Sequence, residues 1–154
     1  MLVHVIHGPN LNLLGLREPA LYGRHSLEEI DALIRQEAEG LEAQIVIKQL
    51  NREGDIVRAI HDAHAEGADA IVINPAGYTH TSVVIRDAIE AVRLPTVEVH
   101  LSNIQAREDF RKTTLTGEVC VGQVSGFGAH SYVLGLRGAV HLVEKAAGTL
   151  YVNR

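Results

Sequence analysis

The chain has 154 residues, of which 46% are hydrophobic and 21% charged, and its formal net charge at pH 7 is −5. That length suits a single domain able to bury a core without disulfides or metal, and its longest apolar runs fall far short of a bilayer span. No basic run exists to track a phosphate backbone, so membrane spans, disulfide scaffolds and nucleic-acid partners are set aside.

The amino end, "MLVHVIHGPN", reads as a strand over Leu2–His7 that enters a loop. It lacks a basic region followed by an apolar stretch and a cleavage site, so a cytoplasmic location is expected. His4 falls inside that strand, where a hydrogen-bonded core or interface role is expected. The loop "HGPNLNLLGLREPALYGRH" carries Asn10, Asn12, Arg17, Glu18, Tyr22 and Arg24 and has no glycine-rich phosphate fingerprint. Loops of this length are commonly functional lids. Ser26 and Glu29 then form an S-x-x-E capping box, and Leu27, Ile30, Leu33, Ile34 and Leu41 make the apolar stripe of a first helix.

"AQIVIKQL" is the second strand, followed by a helix through Ile56, Ala59, Ile60 and Ala63 that stops near Gly67. His61 and His64 sit three apart on it without an acidic or cysteine partner at ligand spacing, which predicts a solvated face. "ADAIVIN" is the third strand. The loop "NPAGYTHTS" follows with Asn74, His80 and Ser82, and leads into a helix from about Thr81 to Val92 through Val84, Ile85 and Ile89. The fourth strand, "TVEVHLS", alternates Val97, Val99 and Leu101 with Glu98, His100 and Ser102, so one face is apolar and the other bears an acid, an imidazole and a hydroxyl. A short helix is predicted over Ala106–Lys112, a fifth strand at "EVCVGQV", and a final helix from about His130 to Ala147, whose broad stripe of Val133, Leu134, Leu136, Val140 and Leu142 predicts deep burial. The lone Cys120, in an apolar setting, reads as a structural thiol.

This βαβ rhythm predicts one α/β domain over residues 1–154: a flavodoxin-like three-layer sandwich with a five-stranded parallel sheet of order 2-1-3-4-5. Ligands in such sheets bind beyond the carboxyl ends of the strands where the order switches, here between the first and third strands. The loops at that rim collect an imidazole beside a carboxylate, a tyrosine flanked by arginines, amides and hydroxyls, with no serine or cysteine elbow and no metal cage. That inventory suits acid–base chemistry on a small, polar, hydroxylated substrate. Singly, each residue has an ordinary explanation: Asn74 before Pro75 starts a turn, Thr79 or Thr81 caps a helix, and Glu98 pairs with a nearby base. A phosphoacceptor domain would want acids where His7 and Asn74 stand, and a flavin module would want aromatic walls that a 4% aromatic chain does not supply.

"GPNLNLLGLREPALYG", "INPAGYTHTSVVIRDAI" and "VEVHLSNIQAREDFR" strongly resemble the type II 3-dehydroquinate dehydratases, and the similarity extends more loosely to "SGFGAHSYVLGL". The resemblance implies anti elimination of water from 3-dehydroquinate to 3-dehydroshikimate in the shikimate pathway, through an enolate and without cofactor or Schiff base. It makes Tyr22 the base at C2, Arg17 the group that favours its ionised form, His100 the acid to the departing hydroxyl, Glu98 the holder of that ring, and Asn10 a ligand of the enolate oxygen. A phenol ordinarily titrates near about 10, so such a base needs cations and a partly dry setting. Asn74, Ser102 and the backbone of Leu101 and Ser102 match the family's carboxylate end, while His80 and Arg111 match its contacts to the ring hydroxyls. Asp87 matches a residue given to a neighbouring subunit's site, and the family's trimers, usually assembled into dodecamers, make a homo-oligomer the expected state. The chain departs from the usual pattern at His7, at Leu50, in the Ala-Gly order of "NPAGY", and over Lys112–Thr114. A non-catalytic module binding a related polyhydroxy acid is the alternative, which the joint presence of Tyr22, Arg17 and His100 disfavours.

Overall fold

The computed structural model describes residues 1–16 and 18–152, with side-chain surroundings through residue 148. Five strands, β1 (Leu2–His7), β2 (Gln44–Gln49), β3 (Ala70–Asn74), β4 (Thr96–His100) and β5 (Gly122–Ser125), pair in parallel in the order β2-β1-β3-β4-β5. The helices are a single turn, α1 (Pro19–Tyr22), then α2 (Leu27–Gly40), α3 (Glu53–Ala65), α4 (Val83–Val92) and α5 (His130–Val152). The architecture is the flavodoxin-like sandwich expected from the alternation of strands and helices. None of the described helices is long and apolar enough to cross a membrane.

Two apolar clusters lie on opposite faces of the sheet, as parallel sheets covered on both sides require. One joins Val3, Val5, Val72, Val97 and Val99 to Ile30 and Ile34 of α2 and to Tyr132, Leu136 and Val140 of α5. The other joins Ile6, Ile71 and Ile73 to Ile56 and Ile60 of α3 and Ile85 and Ile89 of α4. The capping box of α2 is formed as the sequence predicts: the Glu29 N–H donates to Ser26 Oγ at 3.2 Å, and the Ser26 N–H donates to the Glu29 carboxylate at 2.8 Å.

Four boundaries differ from expectation. The cap of α4 is Ser82, which accepts from the Ile85 N–H at 3.0 Å, so the helix starts at Val83 and neither Thr79 nor Thr81 caps it. That register turns Ile85, Ala88 and Ile89 inward and leaves Val83 and Val84 more than half exposed. The predicted helix over Ala106–Lys112 is two 3-10 turns, Ile104–Ala106 and Asp109–Arg111, interrupted by extended backbone at Arg107 and Glu108. The Glu108 carboxylate accepts from Arg111 Nε at 2.8 Å, clasping the second turn. The fifth strand begins at Gly122, because Gly117–Val119 form another 3-10 turn. Finally, α5 continues past Ala147 to Val152.

Glycine at position 135 lets α5 lie against β4: a Cβ there would stand 2.4 Å from a methyl of the buried Val99, whereas a Cβ on Gly138 would meet nothing within 4 Å. Overpacking a rigid β-branched contact costs about 1–3 kcal/mol, while glycine to alanine in an unobstructed helix gains up to about 1 kcal/mol. Urea unfolding of Gly135→Ala and Gly138→Ala is therefore expected to shift stability in opposite directions.

Candidate active site

At the carboxyl ends of β1, β3 and β4 the chain encloses a cavity of about 150 Å³, room for on the order of ten waters or one small polar molecule. Glycine fixes the floor at the switch in strand order. The Gly8 N–H donates to the Asn74 carbonyl at 2.8 Å, and a Cβ on Gly8 would stand 2.7 Å from that same oxygen. Just beyond, Asn10 adopts a left-handed backbone (φ 68°), which asparagine tolerates. Its N–H donates to the Asn51 side chain at 3.0 Å, and Gln49 Nε2 donates to the Gly8 carbonyl and to Asn51, both at 3.1 Å. The end of β2 thus braces the loop after β1.

Eight of the residues singled out in the sequence line this cavity: Asn10, Tyr22, Asn74, His80, His100, Leu101, Ser102 and Arg111. Glu98 stands behind His100. Asp87 does not join them; it lies on the outer side of α4, largely exposed, 3.3 Å from Arg86. Arg17 lies outside the described residues. Arg107, which the sequence places in the rim loop after the fourth strand without a specific role, has its guanidinium 5.3 Å above the Tyr22 ring and donates to Ser102 Oγ at 3.3 Å. The signal available was the run "AREDFR", whose two arginines bracket the turn beside the site.

The polar face of β4 is not solvated. Glu98 is fully buried and accepts from Thr79 Oγ1 at 2.5 Å, from Thr116 Oγ1 and from Gln123 Nε2. Its other neighbour is His100, whose Nε2 lies 3.4 Å from Glu98 Oε2. This is an ion-pair distance without good hydrogen-bond alignment, and Nε2 has no better partner. The Nδ1 of His100 is left for the cavity. Burial pushes the Glu98 carboxyl up, but the imidazole and the hydroxyl donors outweigh it and hold the acid below its ordinary range. A charged carboxylate therefore persists behind the imidazole and fixes the ring.

His80 is set differently. Its Nδ1–H donates to the Thr113 carbonyl at 2.8 Å. Burial lowers its affinity for a proton more than that hydrogen bond raises it, so at neutral pH its Nε2 is an acceptor. Asn74 is both turn starter and site residue: its Oδ1 accepts from the Ala76 N–H at 3.0 Å, and Ala76 takes the left-handed backbone (φ 52°) that the Ala-Gly order of this loop imposes on an alanine. Cys120 is half-buried, and burial, with the charge of Glu98 adding to it, pushes its thiol up, which keeps it protonated and inert.

The family model for class II dehydroquinases matches residues 1–140. A 3-dehydroquinate dehydratase from Trichodesmium erythraeum is 53% identical over 140 residues, covering 91% of this chain and 93% of its own length. One from a Nostoc species is 56% identical over 136 residues, covering 88% and 92%. The crystal structure of a type II dehydroquinase from Butyrivibrio crossotus superposes with a TM-score of 0.89 at 40% identity, over 90% of this chain and 97% of that one.

Because the folded-state affinity of Glu98 for a proton is depressed, its contribution to stability is complete above the ordinary carboxyl value of 4.5 and is lost as pH falls through the lower folded value. Urea unfolding below pH 4.5 is therefore expected to show falling stability, and Glu98→Gln a shallower dependence, the difference approaching at most about 1.4 kcal/mol per pH unit for one proton.

Proposed function

The chain belongs to the class II dehydroquinase family, and from that premise we propose that it is a cytoplasmic 3-dehydroquinate dehydratase, a hydro-lyase of the shikimate pathway. The observation that carries the reading is the pairing of two chemically distinct groups across one cavity. Tyr22 lies under a permanent cation, Arg107, and His100 is backed by a fixed carboxylate, Glu98. One side of the cavity is built to take a proton and the other to give one.

The reaction is an anti elimination through an enolate. The Tyr22 phenolate removes the proton at C2, and the electron pair moves into the C3 carbonyl, whose developing negative charge is met by the amide of Asn10. Collapse of the enolate forms the C1–C2 double bond and expels the C1 hydroxyl, which takes a proton from His100 and departs as water. Glu98 stabilises the imidazolium before transfer and orients the ring. Arg17 keeps the role the family resemblance gives it, favouring the phenolate, and Arg107 adds a second positive charge against the same ring.

Binding follows the charge and hydrogen-bonding pattern of the cavity. Asn74, Ser102 and the backbone of Leu101 and Ser102 receive the substrate carboxylate, while Arg111 and the acceptor Nε2 of His80 address the ring hydroxyls. Asp87, away from its own cavity, is offered to the site of a neighbouring copy in a trimer, with trimers gathering into a dodecamer. The exposed Val83 and Val84 next to Asp87 on α4 are the kind of apolar surface such an interface covers.

Purified protein mixed with 3-dehydroquinate, with no metal or cofactor added, is expected to develop the ultraviolet absorbance of a conjugated enone; none would mean that the activity is wrongly assigned. Tyr22→Phe should lower kcat by the ~10²–10⁴ typical of a positioned acid or base while substrate still binds. In deuterium oxide, His100→Ala should label substrate at C2 faster than it forms product, and Tyr22→Phe should do neither. Ready labelling by the Tyr22 variant would place the base elsewhere.

The shared site has its own test. Asp87→Ala is expected to weaken substrate binding, and mixing it with Tyr22→Phe protein under subunit-exchange conditions should restore part of the activity. Mixed oligomers that stay inactive would show that Asp87 does not serve a neighbour.

A further inference from the structure

Strand β1 runs out of sheet partners at Gly8. The Leu50 N–H donates to the His7 carbonyl at 2.9 Å on one side, the Gly8 N–H donates to the Asn74 carbonyl at 2.8 Å on the other, and the chain then turns away along the cavity. Asn10, two residues on, has a left-handed backbone (φ 68°, ψ −2°). Asparagine tolerates that region, but nothing in its own covalent structure secures it there. Two hydrogen bonds do: the Asn10 carbonyl accepts from the Leu13 N–H at 3.0 Å, and the Asn10 N–H donates to a side chain, Asn51 Oδ1, at 3.0 Å.

The amide orientations around Asn10 are set by main-chain groups that can play one part only. A backbone N–H donates, so the Asn51 atom facing Asn10 is the oxygen; a backbone carbonyl accepts, so the Gln49 atom 3.1 Å from the Gly8 carbonyl is the nitrogen. Gln49 Nε2 also donates to Asn51 Oδ1 at 3.1 Å, and one oxygen thus takes both bonds. Asn51 is held in turn through its own carbonyl, which accepts from the Tyr78 hydroxyl at 3.2 Å. Tyr78 lies in the turn Ala76–His80 that follows Asn74. Asn51 therefore ties the loop after β1 to the loop after β3, yet it is not among the residues that line the cavity. It is exposed, so what it contributes is hydrogen bonding rather than packing.

The φ of Asn10 sets the direction in which its Cβ leaves the loop, and a change of backbone region would redirect the amide. We propose that Asn51, supported by Gln49, is a positioning residue that holds Asn10 in its left-handed backbone and so presets the Asn10 amide against the enolate oxygen. The inference rests on the reading of Asn10 as the ligand of that oxygen. Preset donors act on charge that develops in the transition state, so this clip bears on kcat more than on substrate binding. Because a single oxygen of Asn51 accepts both bonds, aspartate can serve in its place and alanine cannot.

The test is kinetic and uses the full-length protein. Asn51→Ala is expected to lower kcat for 3-dehydroquinate about 5- to 20-fold, part of what removing a transition-state donor costs, with KM changed less than about twofold. Asn51→Asp should stay within about threefold of the unmutated kcat. In an Asn10→Ala background, Asn51→Ala should lower kcat less than about twofold further, since the group it positions is already gone, whereas a merely structural role would add in full. Gln49→Glu keeps the shape and removes both donors; it should lower kcat in the same way, and it decides the matter if Asn51→Ala does not fold. A folded Asn51→Ala enzyme with unchanged kcat, or a loss undiminished in the Asn10→Ala background, overturns the inference and leaves the dehydratase reading in place. Unmutated protein with no dehydratase activity overturns that reading, and the enolate role of the clip falls with it.

Discussion

A carboxylate with no solvent contact lies inside this fold, and much of the site is arranged around it. Glu98 projects from a central strand of a parallel sheet into a space that would ordinarily hold an isoleucine. An unpaired charge there would cost several kcal/mol or neutralise itself. Instead, the turn after β3 supplies Thr79, the segment before β5 supplies Thr116, and β5 itself supplies Gln123. Three stretches distant in sequence are tied to one strand by a single acid. Gly117 is part of the same constraint, because the Gln123 amide occupies the space its side chain would need.

The consequence is local chemistry that the backbone alone would not provide. With its oxygens engaged by hydroxyls and an amide, the carboxylate stays ionised and cannot move away from His100, so the imidazole inherits both a fixed plane and a counter-charge. Elsewhere in the cavity lining the charge is reversed: Arg107 lies over Tyr22, and Arg111 also lines it. The two poles are held by independent parts of the chain, β4 and its supports against the loop after β1 and the 3-10 turns that follow β4.

At Asn74, orientation counts for more than charge. Asn74 carries no net charge, and its use depends on which atom of the amide faces the cavity. The backbone at Ala76 settles this, because its N–H holds Oδ1 in the turn. Beside it, His7 joins the end of β1 to Tyr132 of α5 and Asp31 of α2.

Much of this was present in the sequence. Strand and helix alternation, the capping box at Ser26 and Glu29, and the polar face of "TVEVHLS" follow from periodicity and side-chain chemistry that act over a few residues, and the three long motifs carried the family and its site residues. The exceptions share a cause. Val84 looked like core because its neighbours are apolar, but the cap at Ser82 set the helical register and turned it outward. "ARED" looked helical, but Arg107 is drawn to Tyr22 and Ser102, and the backbone extends to allow it. Thr116, Gln123, Tyr132 and Asp31 gave no local sign of their roles, because each acts through a partner between 18 and 125 positions away. The sequence by itself determined which elements form and which chemical groups are available. Only the tertiary structure decided which of those groups meet, because hydrogen bonds and buried charges depend on distances across the sheet that no local pattern encodes.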